Sequence, residues 1–197
     1  MQEPNDIMNL ENFIKNKSQD ISEVFSNIYR NNESIQSFHY KIDVNKFDNK
    51  YVNEINITLH GDFVEMFNEM QEFESLPALY LFEINPSIPK EEIISLINEV
   101  NKNQFLNIPA QNKSPNNSGV LYVGKVKSCA WGRLIQHLGY HQNRKSHGLQ
   151  LNFWSNKTSS NIELSYTVMF FDKSVADYIH VLEYELAKFM NPIIGKH

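Results

Sequence analysis

A single cysteine, Cys129, stands in a chain of 197 residues. A lone thiol excludes an internal disulfide and fits a reducing compartment. Glycine and proline are also scarce, at seven each, which excludes collagen-like and low-complexity classes. No apolar run reaches the ~20 residues that a membrane-spanning helix needs. The first residues, Met1-Gln2-Glu3-Pro4-Asn5-Asp6, lack the basic and apolar regions of a signal peptide. The expected setting is cytoplasmic, with no membrane partner. Positive charge is not in excess either. The net charge of −5 is not that of a dedicated nucleic-acid binder.

Aromatic residues, by contrast, are plentiful. Thirteen Phe and nine Tyr are enough for a substantial core in one domain with an appendage, or in two small domains. The charge is also unevenly spread. Residues 1–118 carry 9 basic and 18 acidic residues, a net of −9, whereas residues 119–197 carry 9 and 5, a net of +4, with five of the seven histidines. Unless this is ordinary surface scatter, a polyanion would meet the C-terminal part.

Hydrophobic periodicity predicts a helix over 7–29, with Leu10, Phe13, Ile14, Ile21, Val24, Phe25 and Ile28 on one face and a possible break at Asn16 to Gln19. Alternation of period two predicts strands over 37–44 and 53–59, joined as a β-hairpin. Asp62 is placed to cap a helix reaching Phe73. A strand over 77–84 follows, then a helix with Pro89 in its first turn and Ile93, Ile94, Ile97 and Val100 on its apolar face. Residues 107–118 and 139–157 read as polar loops. The remaining elements are a strand near 119–125, a helix over 130–138, a strand over 161–171 and a helix over 173–190, with Val175, Ile179, Leu182, Leu186 and Phe189 inward. The fold class is α+β: a small central antiparallel or mixed sheet flanked by helices, with an N-terminal helix-hairpin-helix extension. The expected division is an accessory region, 1–75, and a second domain, 76–197, carrying an insert at 86–118.

The most informative stretch is Gly119-Val120-Leu121-Tyr122-Val123-Gly124-Lys125. Arg133 follows eight residues after Lys125, and His137 four after that. On a helix those two side chains share a face. Tyr122, Lys125, Arg133 and His137 would then converge as a phenol, an ammonium, a guanidinium and an imidazole, a set suited to an anion such as phosphate. Taken singly, Tyr80 and Tyr122 could be core tyrosines and Arg133 a surface residue. Glu183 could be the polar edge of an amphipathic helix, with Glu185 as a rival on another face. The other histidines have no metal-ligand spacing, so zinc is not expected, and Cys129 is expected to be structural.

In order, these elements resemble the GIY-YIG nuclease superfamily over about residues 76–197. The first family tripeptide corresponds to Ala78-Leu79-Tyr80 and the second to Tyr122-Val123-Gly124. The helix arginine corresponds to Arg133, and the histidine found one turn later in some branches to His137. The metal-binding glutamate corresponds to Glu183, nine residues before Pro192. Ala78 replaces the first glycine, and some forty residues part the two tyrosines where the family has about a dozen. Gly195 and Lys196 stand where a late asparagine often occurs, and Asn191 is the substitute.

The resemblance implies a phosphodiester-cleaving endonuclease acting on nucleic acid, with DNA the expected substrate. It further implies one divalent ion, Mg²⁺ or Mn²⁺, on Glu183. Arg133 would donate to phosphate oxygens. Tyr80 or Tyr122 would position or deprotonate the water, which from a reference pKa of about 10 requires a nearby cation such as Lys125, Arg133 or the metal. His137 is the other candidate acid or base. Lys127, Arg144, Lys145 and Asn191 are candidate nucleic-acid contacts. The rival expectations are a catalytically inactive nucleic-acid-binding or assembly module, and a nuclease regulated by a protein partner or self-association through residues 1–75.

Overall fold

A computed structural model describes residues 4–31, 34–47, 55–85, 88–101, 108–112, 119–141, 147–154, 157 and 161–195. Its regular elements are α1 (Pro4–Arg30), β1 (Ile35–Asp43), α2 (Val64–Glu72), β2 (Ala78–Ile84), α3 (Lys90–Asn101), β3 (Val120–Val126), α4 (Ala130–Leu138), β4 (Glu163–Phe171) and α5 (Ile179–Met190). The strands form one sheet in the order β1-β4-β2-β3, antiparallel at every pairing. This is the expected α+β class, with a four-stranded antiparallel sheet flanked by helices.

Six of the seven residues of β2 are buried, because helices cover both faces of the sheet. Ala78, Tyr80, Phe82 and Ile84 enter the larger core with α2, α3 and α4. Leu79 and Leu81 point the other way, toward Ile179, Leu186 and Ala187 of α5 and Val24 and Ile28 of α1. The C-terminal tail flanks β3. Ile193 and Ile194 donate their amides to Val120 and Leu121 at 3.0 and 2.9 Å.

The predicted hairpin does not form. β1 pairs with β4, from Ile35↔Phe171 to Asp43↔Glu163. Ile57–Leu59 is a 3-10 turn whose N-cap, Asn56, accepts from the Thr58 amide at 3.2 Å. That local bond competes with a ladder. Ile57 is buried, but Leu59 is 71% exposed, so the alternation in sequence did not mark a strand face. Residues 53 and 54 lie outside the described residues. The core also ignores the boundary expected near residue 75. Ile42, Phe47, Phe63 and Phe67 belong to the same cluster as Tyr80, Leu134 and Trp154, and α3, in the expected insert, adds Ile93, Leu96, Ile97 and Val100 to it.

Helix boundaries shift for identifiable reasons. α1 runs unbroken through the polar turn at 16–19, where Ser18 bonds the Ile14 carbonyl and Lys17 pairs with Asp20. Its Leu10, Phe13 and Ile14 are exposed, while Ile21, Val24, Phe25 and Ile28 are half-buried. Asp62 pairs with Lys46 instead of capping α2, and Phe63 holds the cap position. Pro89 precedes the first residue of α3, and its carbonyl accepts from Glu92 and Ile93. α5 begins at Ile179 rather than 173, because Asp172 accepts from the Ser174 amide and starts a separate 3-10 turn. Phe189, expected inward, is 81% exposed; Leu186, Ala187 and Met190 make the inner contact instead.

Tyr40 on β1 donates to Glu69 of α2 at 2.7 Å. Burial, and then that carboxylate, push its phenol above the ordinary tyrosine range. Tyr40→Phe is expected to cost about 1.5–3 kcal/mol, the range for a hydrogen bond to a charged group. The value is to be read from urea unfolding, and Glu69→Gln should recover part of it.

Candidate active site

Tyr80 lies at the centre of the larger core, opposite Gly124 in the β2–β3 register. A Cβ on Gly124 would stand 2.5 Å from the Tyr80 hydroxyl, 2.6 Å from its Cζ and 2.8 Å from Cε1 of Tyr122. Gly124, the second glycine of the 119–125 stretch, is therefore a steric requirement. Its bare backbone lets the Tyr80 ring lie across β3 beside Tyr122, with centroids 6.2 Å apart. Past β3, Cys129 adopts φ 57 and donates its amide to the Glu74 carbonyl at 2.7 Å. This turn starts α4, whose Ala130, Leu134 and Leu138 anchor it in the core. Arg133 and His137, one turn apart, are thereby carried to Tyr80.

Arg133 Nε donates to the Tyr80 hydroxyl at 3.1 Å. Its terminal nitrogens donate to Gln136 Oε1 and, at 2.7 Å, to the His147 carbonyl. Burial opposes its charge, but the phenols of Tyr80 and Tyr122 outweigh that and keep the guanidinium ionised. His137 has no exposed surface. Its Nε2 is 3.1 Å from the Tyr80 hydroxyl, and its Nδ1 accepts from the Leu149 amide at 3.3 Å. Burial and the neighbouring Arg133 hold its pKa well below the ordinary imidazole value. Burial, with a smaller contribution from Tyr122, pushes the Tyr80 phenol up, and Arg133 only partly counters this.

Glu183 and Lys125 form a separate pair, since Lys125 stands opposite Leu79 on the α5 side of the sheet. Lys125 alternates with Tyr122 and Gly124 along β3 and pairs with Glu183 of α5 at 2.5 Å. The two side chains are 34% and 17% exposed. The Glu183 carboxylate lies within electrostatic reach of Tyr80, whereas Glu185 is exposed on another face. Tyr80, Tyr122, Arg133 and His137 are thus brought together, whereas Lys125 and Glu183 pair with each other on the α5 side of the sheet. The nucleic-acid candidates do not join the cluster. Lys127 pairs with Asp177, and Asn191 ends α5 at φ 45 while accepting from Asn112 Nδ2 at 2.6 Å. Arg144 and Lys145 lie outside the described residues.

Among the described residues no three His, Cys, Asp or Glu side chains gather as a metal site. Glu183 offers one oxygen to Lys125, and its Oε1 accepts no hydrogen bond among the described residues. One available carboxylate oxygen is compatible with Mg²⁺ or Mn²⁺, which keep several waters and take further oxygens from phosphate.

The residues that brace this cluster were not evident in the sequence. Segment 147–149 reads as polar loop, yet its backbone serves both Arg133 and His137. Gly148 has no room for a side chain, since a Cβ there would sit 2.2 Å from the Gln136 carbonyl oxygen. Behind it Leu149, Leu151 and Trp154 are fully buried, and Trp154 Nε1 donates to the Leu149 carbonyl at 3.0 Å. A Leu-x-Leu-x-x-Trp pattern was the available signal.

Searches of protein-family models, curated proteins and solved structures find no match to this chain.

The buried imidazole predicts a pH dependence of stability. His137 resists protonation when folded, whereas an unfolded histidine takes its proton below about pH 6.5. The unfolded state then binds more protons, so stability falls as pH drops through that value and is unaffected by this group above it. The slope should approach about 1.4 kcal/mol per pH unit. Urea unfolding of wild type and His137→Gln between about pH 5 and 7.5 checks this, and the variant should lose the added slope.

Proposed function

We propose that the chain is a metal-dependent endonuclease of the GIY-YIG type that hydrolyses phosphodiester bonds of nucleic acid, with DNA as the substrate. The observation that carries this reading is the meeting of Arg133, Tyr80 and Tyr122 in one hydrogen-bonded cluster, with the Glu183 carboxylate within electrostatic reach of Tyr80. Water attacks phosphorus, one P–O ester bond breaks, and a phosphate monoester and a hydroxyl end result. Arg133 donates to Tyr80, Gln136 and the His147 carbonyl and also meets the Tyr122 phenol, and the planar fork of its guanidinium matches phosphate oxygens. Tyr122 is half-buried and can orient the water. Glu183 would hold the single Mg²⁺ or Mn²⁺, which when bound supplies Lewis-acid stabilisation of the phosphate and leaving oxygen. Lys125 holds the Glu183 carboxylate in place.

A second reading is a non-catalytic nucleic-acid-binding module. It is favoured by the Lys125–Glu183 pair, which already satisfies one carboxylate oxygen. For either reading, the exposed Leu10, Phe13 and Ile14 of α1 support a protein partner or self-association through residues 1–75. No described helix is long and apolar enough to cross a membrane.

End-labelled single- and double-stranded DNA and RNA of one sequence, incubated with Mg²⁺, Mn²⁺ or EDTA, test the proposal. Cleavage of DNA only, abolished by EDTA, is the expected result. Binding without cleavage in any metal would favour the second reading.

A further inference from the structure

The hydrogen-bond polarity around Tyr80 follows from contacts whose direction is unambiguous. The Leu149 amide can only donate, and it points at Nδ1 of His137. Nδ1 therefore presents a lone pair. The ring is enclosed by Tyr80 and Phe82 from β2, Tyr122 from β3 and the Arg133 cation from its own helix, and no carboxylate among the described residues lies against it to favour an imidazolium. It is neutral, so its proton is on Nε2, which faces the Tyr80 hydroxyl at 3.1 Å. Arg133 Nε, also a pure donor, reaches the same oxygen at 3.1 Å. Two donors occupy both lone pairs of the phenol, and its own hydrogen must point away from both.

We propose that Tyr80 acts on the substrate as a hydrogen-bond donor to a phosphate oxygen rather than as the base that activates water, and that His137 is the positioning residue that sets this polarity. The assignment rests on the phosphodiesterase reading. A phenol with both lone pairs filled cannot take a proton from water, so the orientation of that water falls to the half-buried Tyr122. No proton leaves Tyr80, and the group needs no regeneration between turnovers. Because Tyr80 is only 1% exposed, the phosphate must enter beside Tyr122 and Arg133, where Gly124 leaves the hydroxyl uncovered by any Cβ. Gly148 belongs to the same device, since it lets the 147–149 backbone close on α4 and present the Leu149 amide.

Imidazole ¹⁵N NMR of the whole wild-type protein reads the polarity without any assay of activity. One neutral His137 tautomer protonated on Nε2, unchanged from about pH 5 to 9, is expected. An Nδ1-protonated ring, or a titration in that range, overturns the proposal. With a cleavable DNA, Tyr80→Phe and His137→Met should each slow single turnover about 100-fold with KM raised by no more than about tenfold, while His137→Gln, which keeps an N–H near Nε2, should retain most of the rate. Equal loss in both folded His137 variants contradicts the positioning role. If wild type cuts nothing, the nuclease reading falls separately. The donor assignment is then decided by titration with a thymidine dinucleotide, whose affinity should weaken about tenfold in Tyr80→Phe; unchanged affinity overturns it.

Discussion

Glu183→Gln is expected to abolish metal-dependent cleavage, by about 4 kcal/mol in the barrier or roughly 1,000-fold in rate, while leaving the protein folded. The substitution keeps the shape and removes the charge that would hold a divalent ion. Its structural cost should be small. The Lys125–Glu183 pair is partly open to solvent, at 34% and 17% exposure, and screening reduces such a pair to about 1 kcal/mol or less. Nucleic-acid binding measured with EDTA present should therefore change little, and the loss should appear in the chemical step. Glu185→Gln, on the exposed face of the same helix, is the control and should behave as wild type. A Glu183→Gln protein that cuts at the wild-type rate in Mg²⁺ would assign the metal elsewhere.

Gly124→Ala should be nearly as damaging for a different reason. Its methyl group would lie 2.5 Å from the Tyr80 hydroxyl and 2.6 Å from Cζ, well inside contact distance. Tyr80 cannot retreat, because Phe82, His137 and Tyr166 pack around its ring. Overpacking of this kind costs about 1–3 kcal/mol of stability. A displacement of about 1 Å at the reacting centre costs about 100-fold in rate. Unfolding and single-turnover measurements should show both losses. In a Tyr80→Ala background the stability cost of Gly124→Ala should largely vanish, since the clash that couples the two sites is gone. An undiminished cost there would place the strain in β3 itself.

How much of this was legible in the sequence depended on the range of the interactions involved. α4 was readable to the residue, because its apolar face and the terminal Gly139 are local signals. β2, β3 and β4 were readable because their apolar runs are short and bounded. The partner of β1 was not, since pairing it with β4 joins residues more than a hundred positions apart; local alternation at 53–59 suggested a nearer strand, and Asn56 bent that segment into a turn instead. The cluster around Tyr80 was partly readable. Arg133 and His137 are four apart on one helix, but that Gly124 stands opposite Tyr80 follows from the β2–β3 register, which the sequence did not show. The functional weight of backbone groups was not readable: the His147 carbonyl and Leu149 amide carry no side-chain signature. Nor could the sequence show that His137 would lose all contact with solvent, the observation behind the proposal that it orients Tyr80.

The most direct test of the central claim is nicking of supercoiled plasmid DNA in Mn²⁺ by wild type beside Arg133→Ala. The prediction is conversion to open circles by wild type, stopped by EDTA, with the variant slower by at least about 100-fold. No conversion by folded wild type, or equal conversion by the two proteins, would contradict it.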